Sequence, residues 1–174
     1  MLFELQKSIE ILERTPAVLK TLLSNLSPDW THNNEGGETW SPYAVVGHLI
    51  HGEKTDWIVR TQLILSQEED KTFQPFDRFA QLNEGAKKNL PELLDEFQAL
   101  REINLTALKA MNISAANLEA TGIHPALGKV TLAQLLSCWT VHDLGHIAQI
   151  TRVMAKQYKD EVGPWIEYLS VLHK

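Results

Sequence analysis

His142 and His146 lie four residues apart in CWTVHDLGHIAQI, so on a helix they share one face, one turn above the other. Counting by three and four from Trp139 gives His142, His146, Ile150 and Val153, the stripe that an amphipathic helix buries. An imidazole is costly to bury without a partner. Two stacked in a core predict a common partner, and a divalent cation suits neutral imidazole nitrogens. The alternative is that one or both turn to solvent or to a backbone acceptor. Gly145 sits inside the same segment. A helical glycine costs about 1 kcal/mol against alanine, so it predicts either room for a bound molecule or a close helix–helix contact.

Zinc sites take at least three protein ligands, so a third must come from elsewhere in the chain. His48 is the leading candidate, with Ala44 four residues before it and Gly52 four after, small neighbours that open space around an inward imidazole. His51, three residues on, competes for the role. His32, His124 and His173 fall in loops or the tail and are expected to be surface or packing residues. Asp143 points about 100 degrees round the helix from His142 and is expected to be solvated or to contact a neighbouring helix. Glu53 and Asp56, of which Asp56 is nearer the His48 face, are candidates to orient an imidazole from behind, and Gln149 either holds a ligand or the water or simply packs. Trp57, Trp139 and Trp165 either wall the site or belong to plain core, and Cys138 is expected to be a buried structural thiol. No residue stands out as a general base, so the catalytic residues stay unknown.

Two other classes fit parts of this pattern. A zinc protease would use His142-Asp143-Leu144-Gly145-His146 with Glu167 as third ligand, but Asp143 replaces the glutamate that such a motif requires. A bundle that binds a metal or a small molecule without catalysis needs nothing more than the histidines.

The elements that must position these residues follow from apolar period. Four long segments repeat their apolar residues every three to four positions, and none alternates convincingly with period two. The first runs from about Phe3 to Leu26 and restarts at Thr15-Pro16; the second begins at Ser41-Pro42 and continues to about Ser66. The third opens near Asn89, and the fourth at Thr131, where Thr131 and Gln134 have capping-box spacing. This predicts one all-α domain over residues 1–174, a four-helix bundle with long crossover loops. A short helical turn is expected at Phe76 to Leu82, and the apolar tail from Lys156 to Lys174 is expected to pack back on the bundle.

Trp40-Ser41-Pro42 with Gly47-His48-Leu49, followed late in the chain by His142-Asp143-x-x-His146-x-x-Gln149, resembles the DinB-like superfamily. The Thr15-Pro16 restart, Pro75-Phe76-Asp77-Arg78, His124-Pro125 and Gly163-Pro164-Trp165 extend the likeness over nearly the whole chain. The resemblance implies a four-helix bundle that binds a divalent metal, zinc or nickel, through His48, His142 and His146. For activity it implies either transfer of a low-molecular-weight thiol to a small electrophile, the thiol being a cosubstrate, or metal-dependent hydrolysis of a small molecule.

Composition narrows the partners. The 174 residues carry 22 acidic against 16 basic side chains, a net charge of −6, with no Lys/Arg run, which argues against nucleic acid. Hydrophobic residues make up 44%, ample for a core. No stretch approaches the roughly 20 apolar residues of a membrane span. The acidic N-terminus does not read as a signal peptide, and a lone cysteine fits a reducing compartment, so a cytoplasmic protein is expected. Five tryptophans leave spare aromatic surface on which a homodimer would form.

Overall fold

The computed structural model describes residues 2–80 and 88–173, and in it the four predicted segments run side by side as a bundle. The first segment divides into α1 (Leu5–Leu12) and α2 (Thr15–Leu23), with Pro16 in the first turn of α2. A proline there lacks the N–H that would continue the α1 ladder. A short helix, α3 (Pro28–His32), occupies the following loop.

The second segment starts as expected, the Ser41 hydroxyl accepting from the Ala44 N–H at 3.2 Å ahead of Pro42. It is not continuous to Ser66. It breaks at Asp56 into α4 (Pro42–Thr55) and α5 (Trp57–Leu65). At the break the Trp57 indole lies against Gly52, where an added Cβ would meet Nε1 at 3.2 Å. The third helix, α6 (Leu90–Ala110), opens with a reciprocal Asn89–Glu92 capping box.

The connection after α6 holds α7 (Ala115–Leu118) and then two strands that the apolar period did not predict: β1 (Thr121–His124) and β2 (Gly128–Thr131), an antiparallel hairpin. Four residues are too few for an alternating pattern to register. The hairpin is zipped to the other long loop: Phe73 N–H donates to the Ile123 carbonyl and Ile123 N–H to that of Lys71, both at 2.9 Å. Gly122 makes this contact possible, since a Cβ there would lie 2.5 Å from the Phe73 ring. The tie fixes the segment that carries Phe76 and Arg78. The turn expected at Phe76 to Leu82 is described only to Ala80, with a turn at residues 78–79; Leu82 lies outside the described residues.

The fourth helix, α8 (Leu132–Lys156), begins with the Thr131–Gln134 capping box read from the sequence. After it come 3-10 turns at Gly163–Tyr168 and Ser170–Leu172. Leu172 is buried and anchors the tail, whereas Trp165 and Tyr168 stay exposed. Among the described residues no helix is long and apolar enough to cross a membrane.

Two apolar clusters fill the bundle. One gathers Ile9, Leu12, Trp57, Ile64, Leu105, Leu132 and Trp139. The other gathers Leu19, Leu23, Val45, Leu49, Phe97 and Ile150. Along α6 and α8 the residues between these clusters are polar: Arg101 and Asn104 on one helix, His142, Asp143 and His146 on the other. The candidate site lies at this polar level.

Candidate metal centre

Helix α4 presents His48 and helix α8 presents His142 and His146 to one point. His48 Nε2 lies 3.1 Å from His142 Nε2, which lies 3.1 Å from His146 Nε2. One nitrogen of each ring falls within 4.8 Å of the others. His51, the competing candidate, is not part of this group. It is buried beside it, with its ring 5.0 Å from that of Phe76. Glu167 is exposed and does not join the cluster, so the protease-like ligand set does not assemble.

Aromatic rings enclose the three imidazoles. Between ring centroids, Trp40 lies 4.8 Å from His48, Phe76 5.4 Å from it at a near-perpendicular angle, and Trp57 5.1 Å from His142. Burial disfavours a charged imidazole. It is the main reason that His48 and His142 are both pushed down from 6.5 to about 3, with neighbouring histidines adding to the effect. Burial lowers His146 as well, against the hydrogen bond of Gln149 and the charge of Asp143, which raise it. All three are therefore neutral at pH 7, the form that ligates metal.

The hydrogen bond of His146 fits that use. His146 Nδ1 lies 2.8 Å from Gln149 Oε1, an acceptor, so Nδ1 carries the proton and Nε2 keeps its lone pair toward the cluster. The Nδ1 atoms of His48 and His142 have no partner among the described residues. These three inward nitrogens form a donor set that suits a divalent metal.

A second polar cluster lies beside the histidines, and Arg101 is its hub. Its guanidinium donates to Glu53 Oε1 at 2.8 and 3.1 Å, to both Asp143 oxygens at 2.6 and 3.1 Å, and to the Leu12 carbonyl at 2.8 Å. Asn104 and Trp139 donate to Glu53 at 2.9 and 3.2 Å. Asp143 is thus fully buried rather than solvated, and it contacts a neighbouring helix as the other expectation had it. Neither Glu53 nor Asp56 orients an imidazole; Asp56 instead pairs with Arg60 at 2.7 Å. Arg101 was not singled out from sequence, although its position four after Phe97 and four before Leu105 puts it on the buried stripe of α6.

Other expectations change on the outer face of α8. Cys138 is exposed, on the rim of an apolar groove with Phe3, Ala133 and Val141. Gly145 is exposed too, and a Cβ there would meet nothing within 4 Å, so it makes room for neither a ligand nor a helix. Trp57 and Trp139 are core residues with stacked rings, 5.8 Å apart, and Trp57 also walls His142, while Trp40 adds a second wall beside His48. Of the outlying histidines, His32 stacks on Tyr43, His124 accepts two backbone N–H groups in the hairpin turn, and His173 reaches the Ile166 carbonyl.

Residues 11–150 match the family model of the DinB superfamily. A "putative metal-dependent hydrolase" of Oceanobacillus iheyensis is 23% identical over 158 residues, covering 86% of this chain and 85% of the relative. Among solved structures, YfiT from Bacillus subtilis, described as a probable metal-dependent hydrolase with an unusual four-helix bundle topology, superposes with a TM-score of 0.75. It is 22% identical over 88% of this chain and 87% of its own. The four-helix bundle protein TT2238 superposes with a TM-score of 0.57 at 18% identity, over 85% of this chain and 98% of its own. At these identities the two structures establish the bundle fold alone.

Proposed function

The chain belongs to the DinB superfamily, and on that premise we propose that it is a metal-dependent enzyme transferring a low-molecular-weight thiol to a small electrophile. His48, His142 and His146 are the ligands of one divalent cation. The observation that carries this reading is the convergence of three neutral imidazoles, His48 buried and His142 and His146 half-buried, whose inward nitrogens face one another.

These neutral nitrogens would leave such a cation its full charge, and the chemistry it would supply is to hold a thiol of ordinary pKa about 8.5 as thiolate at neutral pH. The chain's own residues do the rest. Gln149 holds the His146 ring in register through Nδ1. Trp40, Trp57 and Phe76 pack against the His48 and His142 rings and hold them in place. In the transfer the sulfur bonds to the electrophilic carbon, the leaving group departs with its electron pair, and the thiol proton passes to solvent.

Hydrolysis of a small molecule is the second reading, favoured by the names that relatives carry. It calls for a base to activate water, and the nearby carboxylates Glu53 and Asp143 are both engaged by Arg101. The two readings separate on turnover. Zinc-loaded protein should conjugate a small thiol to chlorodinitrobenzene faster than metal-free protein does, and His146→Ala should abolish the difference. Equal rates across a panel of thiols would remove the transferase reading and leave hydrolysis or simple binding.

A further inference from the structure

A pocket of about 450 Å³ opens directly beside His146, within the size range of small-molecule sites. Trp40, Arg78, Phe79, Gln149 and Arg152 line it together with His146. Its polar groups are in very different states. Arg152 is already committed, donating to both oxygens of Glu35 at 2.7 and 3.0 Å, and Glu35 also pairs with Lys156 at 3.3 Å. Thr39 at the rim is committed as well, its hydroxyl donating to the Gly36 carbonyl at 2.7 Å.

Arg78 is not committed in this way. Its guanidinium lies over the rings of Trp40 and Phe79, 5.7 and 5.3 Å from their centroids, and it has no carboxylate partner among the described residues. Stacking of this kind engages the flat faces of the group and leaves its N–H edges free to form the two-pronged bond that a carboxylate accepts. Gln149 offers a second donor. Its Oε1 accepts from His146, so its NH₂ is the end left for another partner, and that group has none among the described residues. The Trp40 ring under the Arg78 guanidinium is the one that lies 4.8 Å from His48, so this donor sits near the histidines, and the exposed Glu38 lies on the same pocket's lining.

We infer that this pocket binds a carboxylate of the small-molecule substrate between the Arg78 guanidinium and the Gln149 amide, holding the rest of that molecule against His146. The inference deepens the metal-dependent reading by naming a substrate class, and it rests on that reading only for what the carboxylate is delivered to. The carboxylate belongs either to the thiol or to the electrophile.

The test is equilibrium binding of succinate and dimethyl succinate to the full-length, zinc-loaded protein by titration calorimetry, in the wild type, Arg78→Gln, Arg78→Lys and His142→Ala. Succinate should bind the wild type at least tenfold more tightly than it binds Arg78→Gln, as expected for loss of a charged hydrogen-bonding partner. Arg78→Lys should recover part of that loss, and dimethyl succinate should not distinguish the variants. Equal succinate affinity in wild type and Arg78→Gln overturns the inference. So does inorganic phosphate that binds as tightly with the same dependence on residue 78, because the subsite would then take any anion. A failure of the metal reading looks different: zinc content would be unchanged in His142→Ala, while the Arg78-dependent difference in succinate affinity persisted. Turnover then assigns the carboxylate. A KM raised by Arg78→Gln for 3-mercaptopropionate but not for 2-mercaptoethanol puts it on the thiol. A KM raised for 4-(chloromethyl)benzoate but not for benzyl chloride puts it on the electrophile. No change for any of the four overturns the inference.

Discussion

Two polar clusters share one level of the bundle, and they are built on opposite plans. Around Arg101 the charged atoms meet partners: one guanidinium bridges Glu53 on α4 and Asp143 on α8, with Asn104 and Trp139 completing Glu53. Around His142 the nitrogens face one another, and the Nδ1 atoms of His48 and His142 find no partner among the described residues. Both clusters link the same pair of helices. The difference separates a network closed on itself from a group of donors that is not. A satisfied buried network is complete as folded, whereas ring nitrogens from three histidines turned on one another make a donor group that a shared cation would complete.

The sharpest way to break this contrast is to remove Arg101. Arg101→Met strands two buried carboxylates, which should cost about 3–5 kcal/mol of stability in urea unfolding. A loss below about 1 kcal/mol would show that the network is not the clamp its hydrogen bonds suggest.

Acid should act on the other cluster. His48 and His142 have folded values near 3, well below the ordinary 6.5. Between those two pH values the unfolded chain binds up to two more protons than the folded one. In metal-free protein the histidines' contribution is therefore whole above about pH 6.5 and is lost as pH falls toward 3. The slope should reach about 1–3 kcal/mol per pH unit. A double His48→Gln, His142→Gln variant should flatten the curve, and a wild-type curve already flat from pH 7 to 5 would contradict the assignment.

Gln149→Ala should act on the site without touching the clamp. Loss of a group that orients a metal-binding imidazole weakens metal affinity about 10–100-fold, read by competition with a chelating dye, with the unfolding midpoint of the metal-free protein little changed. The smallest effect is expected at Gly145. Because it faces open space, Gly145→Ala should stabilise the protein by about 0.5–1 kcal/mol and leave metal affinity alone. A drop in affinity there would revive a role for the glycine beside His146.

The four helix starts and the three histidines were legible in the sequence for one reason. Capping residues and periodic stripes are local signals, and an imidazole pair on an apolar stripe conflicts with its surroundings strongly enough to be noticed. Arg101 occupies an equally anomalous place, between Phe97 and Leu105, but a long cationic side chain on a helix is usually read as solvated, and its two partners come from other helices. Trp40 and Arg78 line the pocket beside His146 from loops whose course no spacing within them encodes. The hairpin that ties one loop to the other is built from strands of four residues, and the break at Asp56 has no proline or glycine at the position to announce it. Cys138 and Gly145 were misjudged for a related reason: a position one residue off a stripe can turn either way, and packing decides.

The most direct test of the account is an anomalous difference map from crystals of the purified protein, collected at the absorption edges of zinc and nickel. The account predicts a single peak bonded by the Nε2 atoms of His48, His142 and His146 at about 2.0–2.1 Å, and no peak in His142→Ala. A metal bound through His51 or Glu167 in place of His48, or a wild-type map with no peak after incubation with either ion, would contradict it.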